Sequence, residues 1–440
     1  MSDHDLSRRN LLRGTAWLGG ALALSGLPSA QVLGRSMPRK ADMIPWPTVT
    51  AMLDKYVTER KVAGMVAELG WGDKPALTIA RGKEGFDDKD AVGPNSLFRA
   101  YSQTKPVTGI AAMLLIEEGK LKLDQPIADF APEFARMRVA IDPDKSLDSR
   151  PTDKLITVRH LLTHTAGLGY AGIGKNKAIT AELGRLGLVP AIVSAKPFPG
   201  QPITPPVPEA DEFLRRTASV PLCFEPGRAW RYSMALDVLG LIIQRAAGAK
   251  SFAAFLQDRL FGPLGMDSTT FTVPDKSLPR LTTNYALMGS MRLPIDQPQS
   301  SIYRKPTPFA YGGAGLVTSP ADFDRFLAML VNDGLHRGKR IMKAETVALA
   351  TSDLLPAGAD LSGTWVVGQG FGAGGVSGKG KDEGLFGWSG AAGTIGFANR
   401  KLGLRTGLYV QYMPQETLPI LSEFPKAVGQ DLTLSAVPRK

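Results

Sequence analysis

Ser102 and Lys105, in the stretch Tyr101-Ser-Gln-Thr-Lys-Pro106, lie three residues apart. On a helix, positions i and i+3 share a face, so a hydroxyl and an amine would meet there. That pairing is a nucleophile beside a base, provided the amine is neutral, which burial or a neighbouring cation would favour. A helix start adds unpaired backbone N–H groups and the positive end of the helix dipole, and both favour a developing alkoxide or oxyanion. No other serine in the chain is followed by lysine at the third position. Spacing alone does not separate this chemistry from an ordinary helix start. Pro106 adds a constraint. Its ring would collide with the Ser102 carbonyl in a regular α-helix, so a 3₁₀-like or distorted first turn is expected.

Other reactive groupings are weaker. His160 and His164 stand at i, i+4, a spacing that zinc accepts. Leu161, not the glutamate a metalloprotease needs as base, follows His160, and no third ligand is evident in the sequence. Both histidines read as structural, in helix packing or C-terminal capping, and no metal is expected. A Ser-His-Asp triad needs a serine on a Gly-x-Ser-x-Gly elbow. Gly387-Trp-Ser389-Gly-Ala391 lacks the final glycine. The single cysteine, Cys223, excludes an internal disulfide and reads as a small buried hydrophobe.

The elements that must hold Ser102 and Lys105 follow from periodicity. Pro47 suits a first helical turn, and Val49, Met52, Leu53, Tyr56 and Val57 have helical spacing. Residues 64–70 and 76–81 read as two strands joined by the turn-rich Trp71-Gly-Asp-Lys-Pro75, a hairpin that favours an antiparallel sheet. An amphipathic helix is expected over 107–119. Thr157 and Gly167 are expected as N-cap and C′ of a helix, and another helix over 236–247. Six prolines between Pro197 and Pro208 mark an irregular loop. Ser319, Pro320 and Asp322 read as N-cap, N1 and N3 of a helix that Gly334 stops. Strands are expected over 393–399 and 404–412. The fold class is therefore α/β (α+β), with sheet segments at both ends of the chain. Residues 45–115 and 310–440 are expected to form a sheet lobe, and 116–309 a mostly helical one.

Bulk properties bound the function. The 440 residues are 43% hydrophobic with a mean hydropathy of −0.05, enough for a sizeable core. The formal charge is +11, but the basic residues are scattered without interleaved aromatics, so nucleic acid is not an expected partner. Arg8-Arg9 precede a short Gly/Ala-rich stretch, residues 14–27, and then Pro28-Ser-Ala30. This resembles a twin-arginine export signal over 1–30 and is too short for a comfortable membrane span. A periplasmic or secreted location is the expectation; oligomeric state is not readable.

The stretch LFRAYSQTKPVTGIAAMLLIEEGKLKLDQPI resembles the serine β-lactamase and penicillin-binding superfamily. The likeness continues through TVRHLLTHTAGLGY, FEPGRAWRYSMALDVLGLII, FGPLGMDST, YGGAGLVTSPADFDRFLAML and FGWSGAAGT, so it covers nearly all of residues 45–412. Its nearest branch is that of the class C β-lactamase-like, family VIII carboxylesterases. The resemblance implies a β-lactamase/transpeptidase-like fold with Ser102 as the acyl-accepting nucleophile and Lys105 as its helper base. Tyr232 would relay protons, and Trp388-Ser389-Gly390 would be the third motif, on a strand facing the serine. The backbone N–H groups of Ser102 and Ala391 would form an oxyanion hole. No cofactor is implied. Lactam-hydrolysing members usually carry Tyr-x-Asn and a lysine-led third motif; Met234 and Trp388 stand in those places. A thioether cannot donate to an amide carbonyl, and the cation for a substrate carboxylate is gone. With Trp388, Ser389, Gly390 and Met234 read as substrate-binding, the expected activity is a carboxylesterase acting on short-chain or aromatic small-molecule esters. The proline-rich segment is a candidate pocket wall. A β-lactamase, D-amino-acid peptidase or related amide hydrolase stays open as the alternative, and a non-catalytic penicillin-binding-like module as the second.

Overall fold

The computed structural model describes residues 45–189, 191, 193–194 and 203–436. The expected export segment and the first half of the proline-rich segment, 197–202, lie outside the described residues; 203–208 are neither helix nor strand.

Helix α1 (Pro47–Thr58) buries Val49, Met52, Leu53 and Tyr56, the stripe expected of a helix on a core. Strands β1 (Gly64–Trp71) and β2 (Leu77–Gly82) form the expected antiparallel hairpin. A two-residue strand, β3 (Phe98–Arg99), leads into a 3₁₀ turn, Tyr101–Gln103, and then helix α2 (Thr104–Glu117). The 3₁₀ turn is the distortion that Pro106 demands. Helix α2 differs from the amphipathic expectation: every residue from Thr104 to Leu115 is buried. A helix enclosed on all sides needs apolar or small residues all round, and Thr104, Gly109, Ala111 and Ala112 supply the small ones.

Helix α3 (Val158–Leu162) starts at the Thr157 cap as expected, with His160 completing a capping box. It ends earlier than the sequence suggests. The left-handed terminating residue is His164, at φ +55°, not Gly167. Thr165 N–H donates to His160 O at 2.9 Å and His164 N–H to Leu161 O at 3.4 Å, the paired bonds of a Schellman end. Helix α4 (Ala235–Ala247) follows. The hairpin β4 (Asn284–Met288) and β5 (Met291–Asp296) then interrupts the stretch for which helices are expected. Gly289, at φ +61°, permits its tight turn.

The C-terminal part carries β6 (Val317–Thr318), α5 (Pro320–Val331), β7 (Gly370–Phe371), β8 (Val376–Ser377), β9 (Leu385–Ser389), β10 (Ile395–Asn399), β11 (Leu404–Tyr409), β12 (Tyr412–Met413) and α6 (Ile420–Ala436). Ser319 Oγ accepts the Asp322 N–H at the head of α5, the cap the sequence predicts. Seven strands form one sheet in the order β7-β8-β9-β10-β11-β1-β2, and every neighbouring pair is antiparallel. All of β9, β10 and β11 and seven of the eight residues of β1 are buried, because helices cover the sheet. Helix α5 lies against β1, β10 and β11, while α1 packs on β1, β2 and α6. Asp431 of α6 caps α1 by accepting the Thr48 and Val49 N–H groups.

Helix α2 runs between the sheet and α4, close to the loop at Ala373. A Cβ on Gly109 would collide with the Ala373 carbonyl oxygen. Gly109→Ala is therefore expected to cost about 1–3 kcal/mol of stability by overpacking, despite alanine's better helix propensity. Denaturant unfolding measures it; a stabilised variant would show that α2 has room there.

Candidate active site

Backbone placement of Ser102 begins with Arg99. This fully buried guanidinium donates from Nε to Asp296 Oδ2 at 2.6 Å and from Nη1 to Thr282 O at 2.5 Å. It thereby ties β3 to the β4–β5 hairpin. Ala100 N–H donates to Leu316 O at 2.8 Å, and Leu316 N–H to Thr104 Oγ1 at 3.1 Å. Between these anchors Tyr101 sits at φ +43°, a strained region for a non-glycine residue. The strain turns the chain so that Ser102, at the centre of the 3₁₀ turn, lies beside Lys105.

Ser102 Oγ lies 3.2 Å from Lys105 Nζ and 2.6 Å from the Tyr232 hydroxyl. Lys105 is completely buried. Its Nζ also donates to Gly313 O at 2.7 Å and sits 4.5 Å from the centre of the Tyr232 ring. Tyr232, 130 positions along the chain, thus meets Lys105 at the one oxygen of Ser102. The arrangement can pass a proton from Oγ to either neighbour and hand it on.

Tyr232 is held by its neighbours in the chain. Arg231 N–H donates to His164 O at 3.0 Å, Trp230 N–H to Asp360 O at 2.9 Å, and Met234 N–H to Gly169 O at 3.2 Å. Ser233 N–H donates to His164 Nδ1 at 3.2 Å, and Ser233 Oγ lies 3.0 Å from the same nitrogen. An accepting Nδ1 requires a neutral ring. Burial, reinforced by the Lys105 charge, pushes His164 well below the ordinary histidine value. His160 is likewise lowered, to about 4, chiefly by burial; its Nδ1 accepts the Thr157 N–H. Neither histidine is free for a metal, and among the described residues no three His, Cys, Asp or Glu side chains converge on one.

Aromatic rings enclose Tyr232. Tyr170 stacks at 5.7 Å with an 8° interplanar angle, and Trp388 at 5.9 Å and 21°. Trp365 lies 5.2 Å away and is only partly buried. The third motif comes close to the nucleophile turn: Thr394 Oγ1 donates to Ala100 O at 3.1 Å, and a Cβ on Gly390 would collide with that same carbonyl. Glycine at 390 is thus required by backbone approach. Ala391 packs in one small apolar cluster with Tyr101. Among the described residues, neither its N–H nor that of Ser102 donates to a backbone carbonyl.

The residues expected to touch substrate are more enclosed than the sequence suggests. Trp388 is 2% exposed and lies against Tyr232. Ser389 is 6% exposed. Met234 is 0% exposed, with its sulfur 3.8 Å from the Thr217 hydroxyl, so its side chain presents no surface to a ligand. Sequence reasoning missed His164 as the support of the Tyr232 loop, and also Tyr170. The sequence does place both in one block, Thr163-His-Thr-Ala-Gly-Leu-Gly-Tyr170.

The model of the family described as Beta-lactamase matches residues 49–421. The chain belongs to the β-lactamase family. It is 34% identical over 348 residues to an uncharacterized protein of Mycobacterium tuberculosis (strain CDC 1551 / Oshkosh), a match covering 75% of this chain and 82% of that protein. It is 32% identical over 384 residues to esterase EstB of Burkholderia gladioli, covering 80% of this chain and 87% of the relative. Among solved structures it resembles EstCE1, described as a hydrolase with promiscuous acyltransferase activity. There the TM-score is 0.71 at 23% identity, covering 88% of this chain and 99% of that one. The expected β-lactamase/transpeptidase-like fold is therefore the observed one, and the chain is a serine hydrolase of this family. No single helix among the described residues is long and apolar enough to cross a membrane.

Burial of a neutral His164 ties the stability of this chain to pH. Unfolded, its ring takes a proton near 6.5; folded, it stays neutral to well below that. The unfolded chain then binds more protons below pH 6.5, so this residue's contribution to stability falls as pH falls, by up to about 1.4 kcal/mol per unit. Asparagine tolerates the left-handed backbone and does not titrate. Denaturant melts of wild type and His164→Asn at pH 7.0, 6.0 and 5.0 are expected to converge as pH drops. Parallel curves would show that His164 is not buried neutral.

Proposed function

We propose that this serine hydrolase is a carboxylesterase acting through an acyl-enzyme on Ser102. The observation that carries the reading is the contact of one serine oxygen with both Tyr232 and Lys105. Ser102 Oγ attacks the ester carbonyl carbon and its proton passes to the Tyr232/Lys105 pair. The carbonyl electrons move onto oxygen, where the N–H groups of Ser102 and Ala391 receive the charge. Collapse breaks the C–O bond, and the alcohol leaves with the proton held by the pair. Water then attacks the acyl carbon, gives its proton to the same pair, and frees the acid as Ser102 Oγ is reprotonated.

Substrate class follows from the walls. Trp388 stands where a lactam- or peptide-binding cation would be expected, and aromatic rings surround Tyr232, so an uncharged ester with a short or aromatic acyl group fits best. Trp365 is the partly exposed member of that aromatic group and gives a planar acyl group a face to stack on. The similarity to esterase EstB supports the ester reading. A second reading, acyl transfer to a small alcohol, is favoured by the near-complete burial of Ser102 (7% exposed) and Tyr232 (9% exposed), which limits water at the acyl-enzyme.

A panel of p-nitrophenyl esters beside nitrocefin and D-alanyl peptides tests the choice. Esters are expected to turn over and the amides to lag far behind. Ser102→Ala should lose about three orders of magnitude or more in kcat, and Tyr232→Phe about 10²–10⁴-fold. Fast lactam turnover with negligible ester turnover would overturn the proposal. In the same panel, Trp365→Ala should raise KM for benzoyl esters several-fold and leave acetyl esters nearly unchanged. Equal effects on both would remove Trp365 from the substrate face.

We also propose export through the residue 1–30 segment, supported by Arg8-Arg9 and the Gly/Ala-rich stretch that follows. Replacing both arginines with lysine should leave the protein in the cytosolic fraction of a cell that exports the wild type. Unchanged partitioning would argue against it.

A further inference from the structure

Helix α4 carries another ionisable side chain into the region of Lys105. Asp237 is 0% exposed, and its Oδ1 accepts the Gly313 N–H at 2.8 Å. The carbonyl of that same Gly313 accepts from Lys105 Nζ at 2.7 Å. Asp237 and Lys105 therefore grip the two polar groups of one glycine. A side chain at 313 would collide with the Asp237 carboxylate, so only glycine lets the three meet. The second carboxylate oxygen, Oδ2, has no hydrogen-bond partner among the described residues. A buried carboxylate with an unsatisfied oxygen is costly unless it is protonated or faces a cation.

The surroundings say which cation. Lys105 from α2 is the charge that favours ionised Asp237; burial outweighs it and pushes the carboxyl up to about 7. Tyr170, from the loop after α3, and Tyr311, from the loop before Gly312, also face it. Both phenols are pushed up by burial first and by Asp237 next, so neither supplies a countercharge. Helix α3 brings Arg159 and His160, but these are engaged with Asp124 and the Thr157 N–H. The helix Phe252–Leu256, packed on α4, brings no titratable side chain.

We propose that Asp237 is a positioning residue for the Lys105 amine. Through Gly313 it fixes the carbonyl that holds Nζ at Ser102, and its carboxylate is the countercharge that governs whether Lys105 keeps its proton. The proposal rests on Ser102, Lys105 and Tyr232 being the reacting groups. Two arrangements of the pair hold the same number of protons: carboxylate with ammonium, and carboxylic acid with amine. Only the second leaves Lys105 able to accept the proton of Ser102.

Asp237→Asn tests this, because an amide oxygen still accepts the Gly313 N–H while the charge is gone. Loss of the negative charge favours the uncharged amine. The acid limb of the kcat/KM profile, which reports the Asp237/Lys105 pair as a unit, is expected to move to lower pH by about one unit or more, which is about tenfold in rate at a fixed pH on that limb. KM for p-nitrophenyl acetate should stay within about twofold. A variant slowed equally at every pH, with its limbs unmoved, would overturn the proposal and leave the serine-hydrolase reading intact. Turnover surviving in Ser102→Ala would instead sink that underlying reading. If Asp237→Asn does not fold, infrared titration of wild type against Lys105→Met decides. Without the ammonium, a carboxyl band should protonate at higher pH in the variant; identical titrations would overturn the coupling.

Discussion

A primary amine with no exposed surface is the constraint around which this molecule is arranged. Lys105 Nζ meets Gly313 O, Ser102 Oγ and the face of the Tyr232 ring, with the Tyr170 ring 5.8 Å away. Removing an amine from water is costly unless its protons find acceptors. Gly313 and Tyr232 come from distant parts of the chain, so the loops before β6 and α4 must both be in place before the amine is satisfied. The need for enclosure explains why α2 is buried on every side and why Gly109 and Gly374 line its contact with the 373–374 loop, where added side chains would strike backbone.

The same requirement places backbone strain on both sides of the reacting oxygen. Tyr101 and His164 are non-glycine residues in the left-handed region. The first aims Ser102; the second ends α3 and presents a ring nitrogen to Ser233, next to Tyr232. Such conformations persist only where the surroundings over-determine them. Tyr101 has the Arg99–Asp296 pair on one side and the Ala391 cluster on the other. His164 has three aromatic rings, Trp230, Tyr232 and Phe371, within 6 Å of its own.

Much of this was legible in the sequence, and the missing parts share a cause. Caps and hairpins are local, so Thr157, Ser319 and the β1–β2 turn could be read from a few residues. Pro106 forecast the 3₁₀ turn because its clash is with a carbonyl four residues back. The full enclosure of α2 was not legible, because threonines and small residues look polar or neutral until helices close over them. The end of α3 was misread because glycine is the ordinary left-handed residue, and a histidine there is explained only by Ser233, 69 positions away. Met234 fell in the family's motif, but a motif gives order along the chain and not the direction of a side chain. It is Thr217, on another helix, that shows where its sulfur points.

That last point bears on why this pocket should prefer esters. Losing a donor at 234 would matter little if the methionine only vacated a polar contact. Instead the side chain is drawn into the core, and Trp388 fills the other end of the wall with a ring stacked on Tyr232. Both changes remove groups that a charged amide substrate would use, and they replace them with apolar surface already satisfied within the protein. Under the proposed function, an amide entering here would meet no donor at Met234 and no cation at Trp388 for its carboxylate, a penalty that an uncharged ester does not meet. Under the proposed function, selectivity in this site would come less from a contact offered to the ester than from polar groups withheld from its competitors.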